Sequence, residues 1–150
     1  MVTGGMAMHL NDSLTRKKEL NVTFFHHEQA CAMAADAYSR STGKISVICV
    51  TAGPGGINAL NGVFGAYADS IPMLILSGQV RTDTLNSEKN LRQLGDQEAP
   101  ITKMVESITK YSRTIKRKEN IEYEIQKAIS TLSNGRKGPV WIDIPINIQG

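Results

Sequence analysis

The chain has 150 residues, the size of one ordinary domain, and a domain of this length buries about 68–70% of the surface that its unfolded chain exposes. Seventeen lysines and arginines against fourteen aspartates and glutamates give a formal net charge of +3, and because the basic patch at 116–118 has no aromatic platform beyond Tyr111 and Tyr123, we expect no nucleic-acid partner. The longest apolar runs, at 45–50 and 71–76, fall far short of the roughly 20 residues of a membrane span, and the start lacks a secretory signal, so we expect no membrane association and a cytoplasmic protein.

Strand and helix patterns alternate along the whole chain. Short β-branched runs bounded by glycine or proline predict strands, whereas dense alanine or apolar residues three and four apart predict helices. In chain order the predicted elements are a glycine turn at Gly4 and Gly5, a helix from Met8 to near Lys18, a strand over 22–26, a helix over 29–40 stopped by Gly43, a strand over 45–50, a helix over 57–68, a strand over 73–76, an irregular segment over 79–100, a short helix over 102–107, a strand over 111–115, a helix over 121–132 and a strand over 139–145. The alternation predicts an α/β fold, a doubly wound parallel sheet with helices on both faces. The strand over 45–50 has almost no polar alternation, so we expect it to be covered on both faces.

Two turns of this sequence each follow a predicted strand and open a helix. The first contains Glu28, the single acid at the start of the alanine-rich helix, and the second is Thr51-Ala52-Gly53-Pro54-Gly55-Gly56. Turns after parallel strands lie at the carboxyl edge of the sheet, where ligands of open α/β sheets bind. We therefore expect the functional site at this edge, with the irregular segment 79–100 as a second functional candidate.

The glycine-rich turn by itself permits several interpretations. Orphan N–H groups at a helix start favour an anion, but the sequence matches neither GxGxxG nor GxxxxGK[ST], and Pro54 removes one backbone donor. A tight turn that lets strand and helix pack closely fits at least as well. Pro54 and Asn58 could equally line a flat ligand, through ring contact and amide hydrogen bonding.

The residues around Glu28 disfavour a metal site. The run His27-Glu28-Gln29-Ala30-Cys31 has cysteine where the HExxH pattern has its second histidine, and adjacent His26 and His27 would point to opposite faces of a strand. Cys31 and Cys49 match no zinc spacing and are expected to be small core residues in a reducing compartment. From the local pattern alone, Glu28 is more simply a solvated acid at a helix start. Other polar residues with no local pattern beyond exposed surface are Gln97, Glu98, Lys103 and Lys110.

Four motif groups stand in order along nearly the whole chain. They are Phe25-His26-His27-Glu28-Gln29 with Ala34-Ala35-Asp36-Ala37-Tyr38-Ser39-Arg40, then Thr51-Ala52-Gly53-Pro54-Gly55-Gly56-Ile57-Asn58, then Ala66-Tyr67-Ala68-Asp69-Ser70-Ile71-Pro72, and Ser77-Gly78-Gln79-Val80. Together they closely resemble the N-terminal pyrimidine-binding domain of thiamine diphosphate-dependent enzymes, nearest the acetolactate synthase branch.

That resemblance implies a cofactor and a set of site residues. Members of the family bind thiamine diphosphate between the pyrimidine domain of one subunit and the diphosphate-binding domain of another, which implies a homodimer or homotetramer, or a partner that carries the second domain. By the same resemblance Glu28 hydrogen-bonds N1′ of the aminopyrimidine and starts the proton relay that activates thiazolium C2. Pro54, Asn58 and Gly4 are then cofactor-binding residues, and Gln97 and Lys110 lie near the substrate. By the same resemblance, Mg2+ and the diphosphate are bound by another domain, so no metal site is expected in this chain. Where the full-length enzyme needs FAD, the central domain is expected to bind it.

The resemblance also sets an expectation for the whole protein. Residues 1–150 are expected to form the pyrimidine-binding domain, truncated at its N-terminus and without the central and diphosphate-binding domains. The implied activity is that of a carboligase or decarboxylase acting on 2-oxo acids such as pyruvate, with this chain inactive by itself. Departures from the family pattern at Val2-Thr3, Arg81 and Asp96 fall near the substrate channel and leave the product open. The alternatives are a non-catalytic or split-subunit binding module that needs a partner with the diphosphate domain, and a nucleotide-binding Rossmann-like protein.

Overall fold

A computed structural model describes residues 1–85 and 91–150 as an α/β domain built on a four-stranded parallel sheet. The strands are β1 (Ser46–Val50), β2 (Met73–Gln79), β3 (Tyr111–Thr114) and β4 (Val140–Pro145), in the order β1-β2-β4-β3. The helices are α1 (Met8–Arg16), α2 (Glu28–Thr42), α3 (Pro54–Ala68), α4 (Ile101–Met104) and α5 (Ile121–Ser133). The predicted doubly wound parallel fold is confirmed.

Apolar side chains of the sheet alternate between two cores, one on each face. On one face Ile48, Ile75 and Trp141 pack with residues of α2, α3 and α4. On the other face Leu74, Leu76 and Ile142 pack with residues of α5. Cys31 and Cys49 are both buried and free, as the sequence predicts.

The helices α2 and α3 both begin at the carboxyl edge of the sheet, and the residues at their ends explain where they start and stop. His27 caps α2, since its Nδ1 accepts the backbone N–H of Gln29 at 3.2 Å, and the helix ends at Gly43 in the left-handed conformation with φ 71°. Proline at the first position of α3 costs no hydrogen bond, because that N–H has no partner inside a helix. The helix therefore starts at Pro54, three residues earlier than predicted.

The strand predicted over 22–26 is wrong. Residues 22–26 form no strand; the backbone hydrogen bonds of this segment are instead with the first residue, where the N-terminal amine of Met1 donates to Thr23 O at 2.5 Å and Phe25 N donates to Met1 O at 2.9 Å. At this edge of β1 the N–H of Val2 bonds Cys49 O at 3.1 Å. Val47 is 52% exposed while the other four residues of β1 are buried, so the face that carries Val47 is covered only in part, whereas the sequence predicts cover on both faces. An apolar cleft of about 690 Å³ follows this edge, and its lining includes none of the predicted site residues.

Several boundaries differ by a few residues from those predicted. The strand β2 continues to Gln79 because β4 pairs with it as far as Pro145. The helix predicted over 102–107 is divided into α4 and a 3-10 turn at Glu106–Ile108. Part of the irregular segment 79–100, residues 86–90, lies outside the described residues. Within the described ranges, no helix has the length and apolar character needed to cross a membrane.

Candidate functional site

Glu28 and Asn58 meet at the carboxyl edge of the sheet; Glu28 is the first residue of α2 and Asn58 is the fifth residue of α3. Asn58 Nδ2 donates a hydrogen bond of 3.0 Å to Glu28 Oε2. Glu28 is only 9% exposed, whereas Pro54 and Asn58 are exposed. The arrangement brings together a shielded carboxylate and an accessible amide at the edge of the sheet where the sequence predicts the functional site, although no strand precedes Glu28.

Glycine allows the second turn to approach the carboxylate. A Cβ at position 55 would lie 2.7 Å from Thr51 Cγ2 and 3.4 Å from Glu28 Oε1, so a larger residue would fill the space beside this oxygen. A Cβ at Gly4 would lie 2.5 Å from the side chain of Thr51. The N-terminal turn at Gly4 and the start of α3 at Gly55 therefore both pack closely on Thr51, and Gly4 is half-buried there.

Gln97 lies at the rim of the same group. Its backbone is left-handed, with φ 57°, and its carbonyl oxygen would be 2.3 Å from a Cβ at Gly53, which itself has φ 56°. The turn before Gln97 is closed by Glu98, whose Oε2 accepts from Leu94 N at 2.8 Å and from Gly95 N at 3.1 Å. The side chain of Gln97 is exposed, and its backbone packs on the glycine-rich turn.

Lys110 is not brought to this group. It directly precedes β3, so it lies at the amino edge of the sheet, opposite Glu28. Its Nζ donates to Thr131 O and Asn134 O, each at 2.5 Å, and thereby binds the last carbonyls of α5. These contacts are those of a helix-terminating lysine.

The group at the carboxyl edge has the chemistry to bind a flat nitrogen heterocycle. Glu28 offers a carboxylate oxygen on the side of the buried Gly55, and Pro54 offers an exposed apolar ring face. The described ranges contain no cluster of three or more histidine, cysteine, aspartate or glutamate side chains that could hold a metal ion.

The sequence analysis did not identify a buried polar group below this site. Asp143, on the otherwise apolar strand β4, is 1% exposed and accepts hydrogen bonds from Ser77 Oγ at 2.6 Å and from Gln79 Nε2 at 3.0 Å. Burial raises the pKa of Asp143 to about 6, although the hydrogen bonds from Ser77, Gln79 and Thr114 favour its charged form. The sequence does contain one indication of this network, namely an acid inside an otherwise apolar strand, because a buried acid requires hydrogen-bond partners.

Comparison with known proteins places these residues in a family. A family model described as "Thiamine pyrophosphate enzyme, N-terminal TPP binding domain" matches residues 1–100. The acetolactate synthase large subunit of Haemophilus influenzae is 37% identical over 142 residues, 95% of this chain. That of Buchnera aphidicola subsp. Schizaphis graminum is 40% identical over 145 residues, 97% of the chain, and acetolactate synthase 2, chloroplastic, of Zea mays is 37% identical over 146 residues, again 97%. The chain spans 24% of the length of the two bacterial relatives and 22% of the maize protein.

Proposed function

The chain belongs to the thiamine pyrophosphate enzymes and contains their N-terminal TPP binding domain, and from this premise we propose that it binds the aminopyrimidine of thiamine diphosphate, the same cofactor, beside Glu28. The protein that contains the domain would be a carboligase or decarboxylase of 2-oxo acids such as pyruvate. The names of the relatives, all acetolactate synthases, support this reaction class.

The observation that carries the proposal is the buried carboxylate held by Asn58. One oxygen, Oε2, accepts the hydrogen bond from Asn58, while Oε1 lies on the side of Gly55, where a Cβ would be 3.4 Å from this oxygen and 2.7 Å from Thr51 Cγ2. Glu28 would therefore present Oε1 to a ring nitrogen, with Asn58 fixing the orientation of the carboxyl plane. The Pro54 ring would support the flat face of the ligand.

Glu28 would hold and exchange a proton at that ring nitrogen. General acid–base assistance by a positioned side chain contributes roughly 10²–10⁴-fold to a rate. The cofactor, when bound, supplies the carbanion chemistry, and this chain supplies orientation and one proton position. Gln97, exposed at the rim of the site, would contact the substrate, whereas Lys110 is separated from it by the depth of the sheet.

A second domain is needed to close the site. Exposed apolar side chains lie on the two helices that begin there, with Met33 46%, Ile57 40% and Phe64 58% exposed. Such residues on neighbouring helices mark an interaction surface. We propose that this surface joins a second subunit, in a homodimer or homotetramer, or a partner subunit, and that the diphosphate and Mg2+ are held there, with any FAD in a further domain.

The test uses a chimera in which this chain replaces the corresponding N-terminal region of the Haemophilus influenzae acetolactate synthase large subunit. Exchange of the cofactor C2 proton, followed by NMR in deuterated buffer, should fall at least about 100-fold in the Glu28→Gln variant. The control, Glu19→Gln, changes an exposed glutamate at the cleft beside β1 and should leave exchange unchanged. Near-normal exchange in Glu28→Gln would refute the proposed role. Mixing this chain with the separately produced remainder tests the split-subunit version, which requires recovered exchange.

A further inference from the structure

Five buried or half-buried side chains form a continuous hydrogen-bonded group across three strands, here called the Asp143 network: Ser77, Gln79, Thr114, Trp141 and Asp143. Trp141 Nε1 donates to Ser77 Oγ at 2.7 Å, and Ser77 Oγ donates to Asp143 Oδ1 at 2.6 Å. Asp143 Oδ2 accepts from Gln79 Nε2 at 3.0 Å and from Thr114 Oγ1 at 3.1 Å. Three side chains therefore donate hydrogen bonds to the two carboxylate oxygens of Asp143.

Gln79 connects the Asp143 network to the chain segment at Ala99. Its Nε2 also donates to Ala99 O at 3.1 Å, and its Oε1 accepts from Val80 N at 2.9 Å. Both amide protons and the amide oxygen thus have partners, and the side chain is 2% exposed. Because Asp143 fixes one amide proton, the other can point only at the Ala99 carbonyl.

Ala99 is two residues from Gln97, so the bond from Gln79 holds the end of the turn that carries Gln97. The start of that turn is closed by Glu98 against Leu94 and Gly95, and the turn packs on Gly53 through the Gln97 carbonyl. The chain beyond Ala99 has a second attachment, where Ser112 Oγ donates to Thr102 O at 3.0 Å. Of these contacts, only the bond from Gln79 joins the turn directly to the central strand β2.

Packing alone does not explain these residue types. An apolar side chain at position 79 or 143 would fill the same core without placing a carboxyl in a low-dielectric environment, where burial disfavours its charged form. The raised pKa of Asp143 is a measure of that penalty. The Asp143 network carries the desolvation cost of a buried carboxyl, yet it orients the Gln79 amide towards the Ala99 carbonyl. This combination indicates that the polar residues are needed to hold the turn.

We propose that Gln79, oriented by Asp143, is a positioning residue that fixes the turn carrying Gln97 over Gly53 and thereby sets how the site accepts its 2-oxo acid. The first half of this inference concerns the chain alone, and the second half rests on the proposed function. Gln79 and Asp143 touch neither cofactor nor substrate in this proposal; they act through Gln97.

The first test measures amide hydrogen exchange by NMR in the 150-residue chain. Gln79→Met removes the donor to Ala99 O at similar volume, and exchange at Leu94, Gly95 and Glu98 should rise about tenfold, the scale of one lost hydrogen bond. Exchange at Val2, whose N–H bonds Cys49 O, should not change. Ser39→Ala is the matched control, because it removes a buried hydrogen bond to Pro72 O far from the turn and should leave the three amides as they are.

Two further variants keep this test decisive. Asp143→Asn retains an oxygen that can accept from Gln79, so it should preserve the slow exchange. Gln79→Asn keeps an amide that is one methylene too short to reach both partners, and it should reproduce the faster exchange even if Gln79→Met does not fold. Unchanged exchange at Leu94, Gly95 and Glu98 in the Gln79 variants would overturn the positioning role.

The second test uses the chimera described above. Gln79→Met should raise KM for pyruvate several-fold while the Kd of thiamine diphosphate and C2 proton exchange stay at the values of the parent chimera. An unchanged KM beside faster amide exchange would overturn the substrate half and leave the positioning half intact. A parent chimera without C2 exchange would refute the proposed function and would not affect the amide-exchange result.

Discussion

Asn58 Nδ2 lies 3.0 Å from Glu28 Oε2, so the N-terminal parts of α2 and α3 are joined through one carboxylate. The two residues are 30 positions apart in sequence; Asn58 is placed by the β1–turn–α3 unit, and Glu28 begins α2, which follows a segment that forms no strand. Neither turn alone forms the site. The two oxygens of Glu28 differ in their surroundings, since Oε2 accepts the amide hydrogen bond and Oε1 lies 3.4 Å from where a Cβ at Gly55 would be.

Removing the amide should therefore weaken the site without destroying it. In the chimera, Asn58→Ala should lower C2 proton exchange about tenfold, because a hydrogen bond to a charged group contributes about 1.5–3 kcal/mol and Asn58 is exposed, which favours the lower end. Asn61→Ala, one turn further along the exposed side of α3, provides the control and should exchange normally. A loss as large as that of Glu28→Gln would mean that Asn58 itself contacts the reacting group.

A side chain at position 55 should disturb both the fold and the cofactor site. Gly55→Ala places a Cβ 2.7 Å from Thr51 Cγ2, and overpacking of this kind costs about 1–3 kcal/mol. Urea unfolding should show this loss, and calorimetry on the chimera should show weaker thiamine diphosphate binding. Thr51→Ser removes the clashing methyl group and should restore part of the stability in the double variant.

The matched control for that change is Gly5→Ala. A Cβ at position 5 would have no neighbour within 4 Å, so the free energy of unfolding should stay the same or rise slightly. Equal losses at positions 5 and 55 would show that the close packing around Thr51 does not decide the effect.

The sequence predicted the parts of this site that depend on local chemistry. Glycine and proline in the second turn predicted a sharp strand-to-helix turn, and the alanine-rich stretch predicted the helix that begins beside Glu28. Residues 22–26 were misread because β-branched and aromatic residues favour a strand only where a neighbouring strand is available, and here their backbone hydrogen bonds are with Met1. The Asp143 network was missed because its members lie far apart in sequence and meet only when β2 and β4 pair. The role of Lys110 could not be judged from its sequence neighbours, since its partners belong to the end of α5.

Asp143 should make stability depend on pH in one defined window. Its ordinary pKa is 3.8, and burial raises the pKa to about 6 in the folded chain, so the folded state binds more protons between these values. Stability should therefore increase as the pH falls from about 6 towards 4, by at most about 3 kcal/mol from this group. Above the folded pKa both states are deprotonated, and this contribution no longer changes with pH.

Urea unfolding at about pH 4.5 and about pH 7 can isolate that contribution through the difference between the parent chain and Asp143→Asn. The asparagine variant lacks the titrating group, so it should lose the gain on acidification. Exposed carboxylates such as Asp83, whose pKa is lowered by the hydrogen bond from Arg81, are common to both chains and cancel in the difference. Identical pH profiles for the two chains would contradict the assigned burial of the charge.

A substitution of Lys110 can distinguish a structural role of this residue from a catalytic role, because the two roles predict opposite results. Its Nζ binds the carbonyls of Thr131 and Asn134 at the end of α5, on the edge of the sheet away from Glu28. Lys110→Met should lower the free energy of unfolding by about 0.5–1.5 kcal/mol, the net contribution of such hydrogen bonds. In the chimera, C2 proton exchange and KM for pyruvate should stay unchanged.

The control is Lys137→Met, which changes an exposed lysine that lines one surface pocket together with Lys110 and should change neither quantity. If Lys110→Met instead abolished activity in a chimera of unchanged stability, the substrate role implied by the family resemblance would hold, and the partner that brings this lysine to the substrate would have to approach from the amino edge of the sheet.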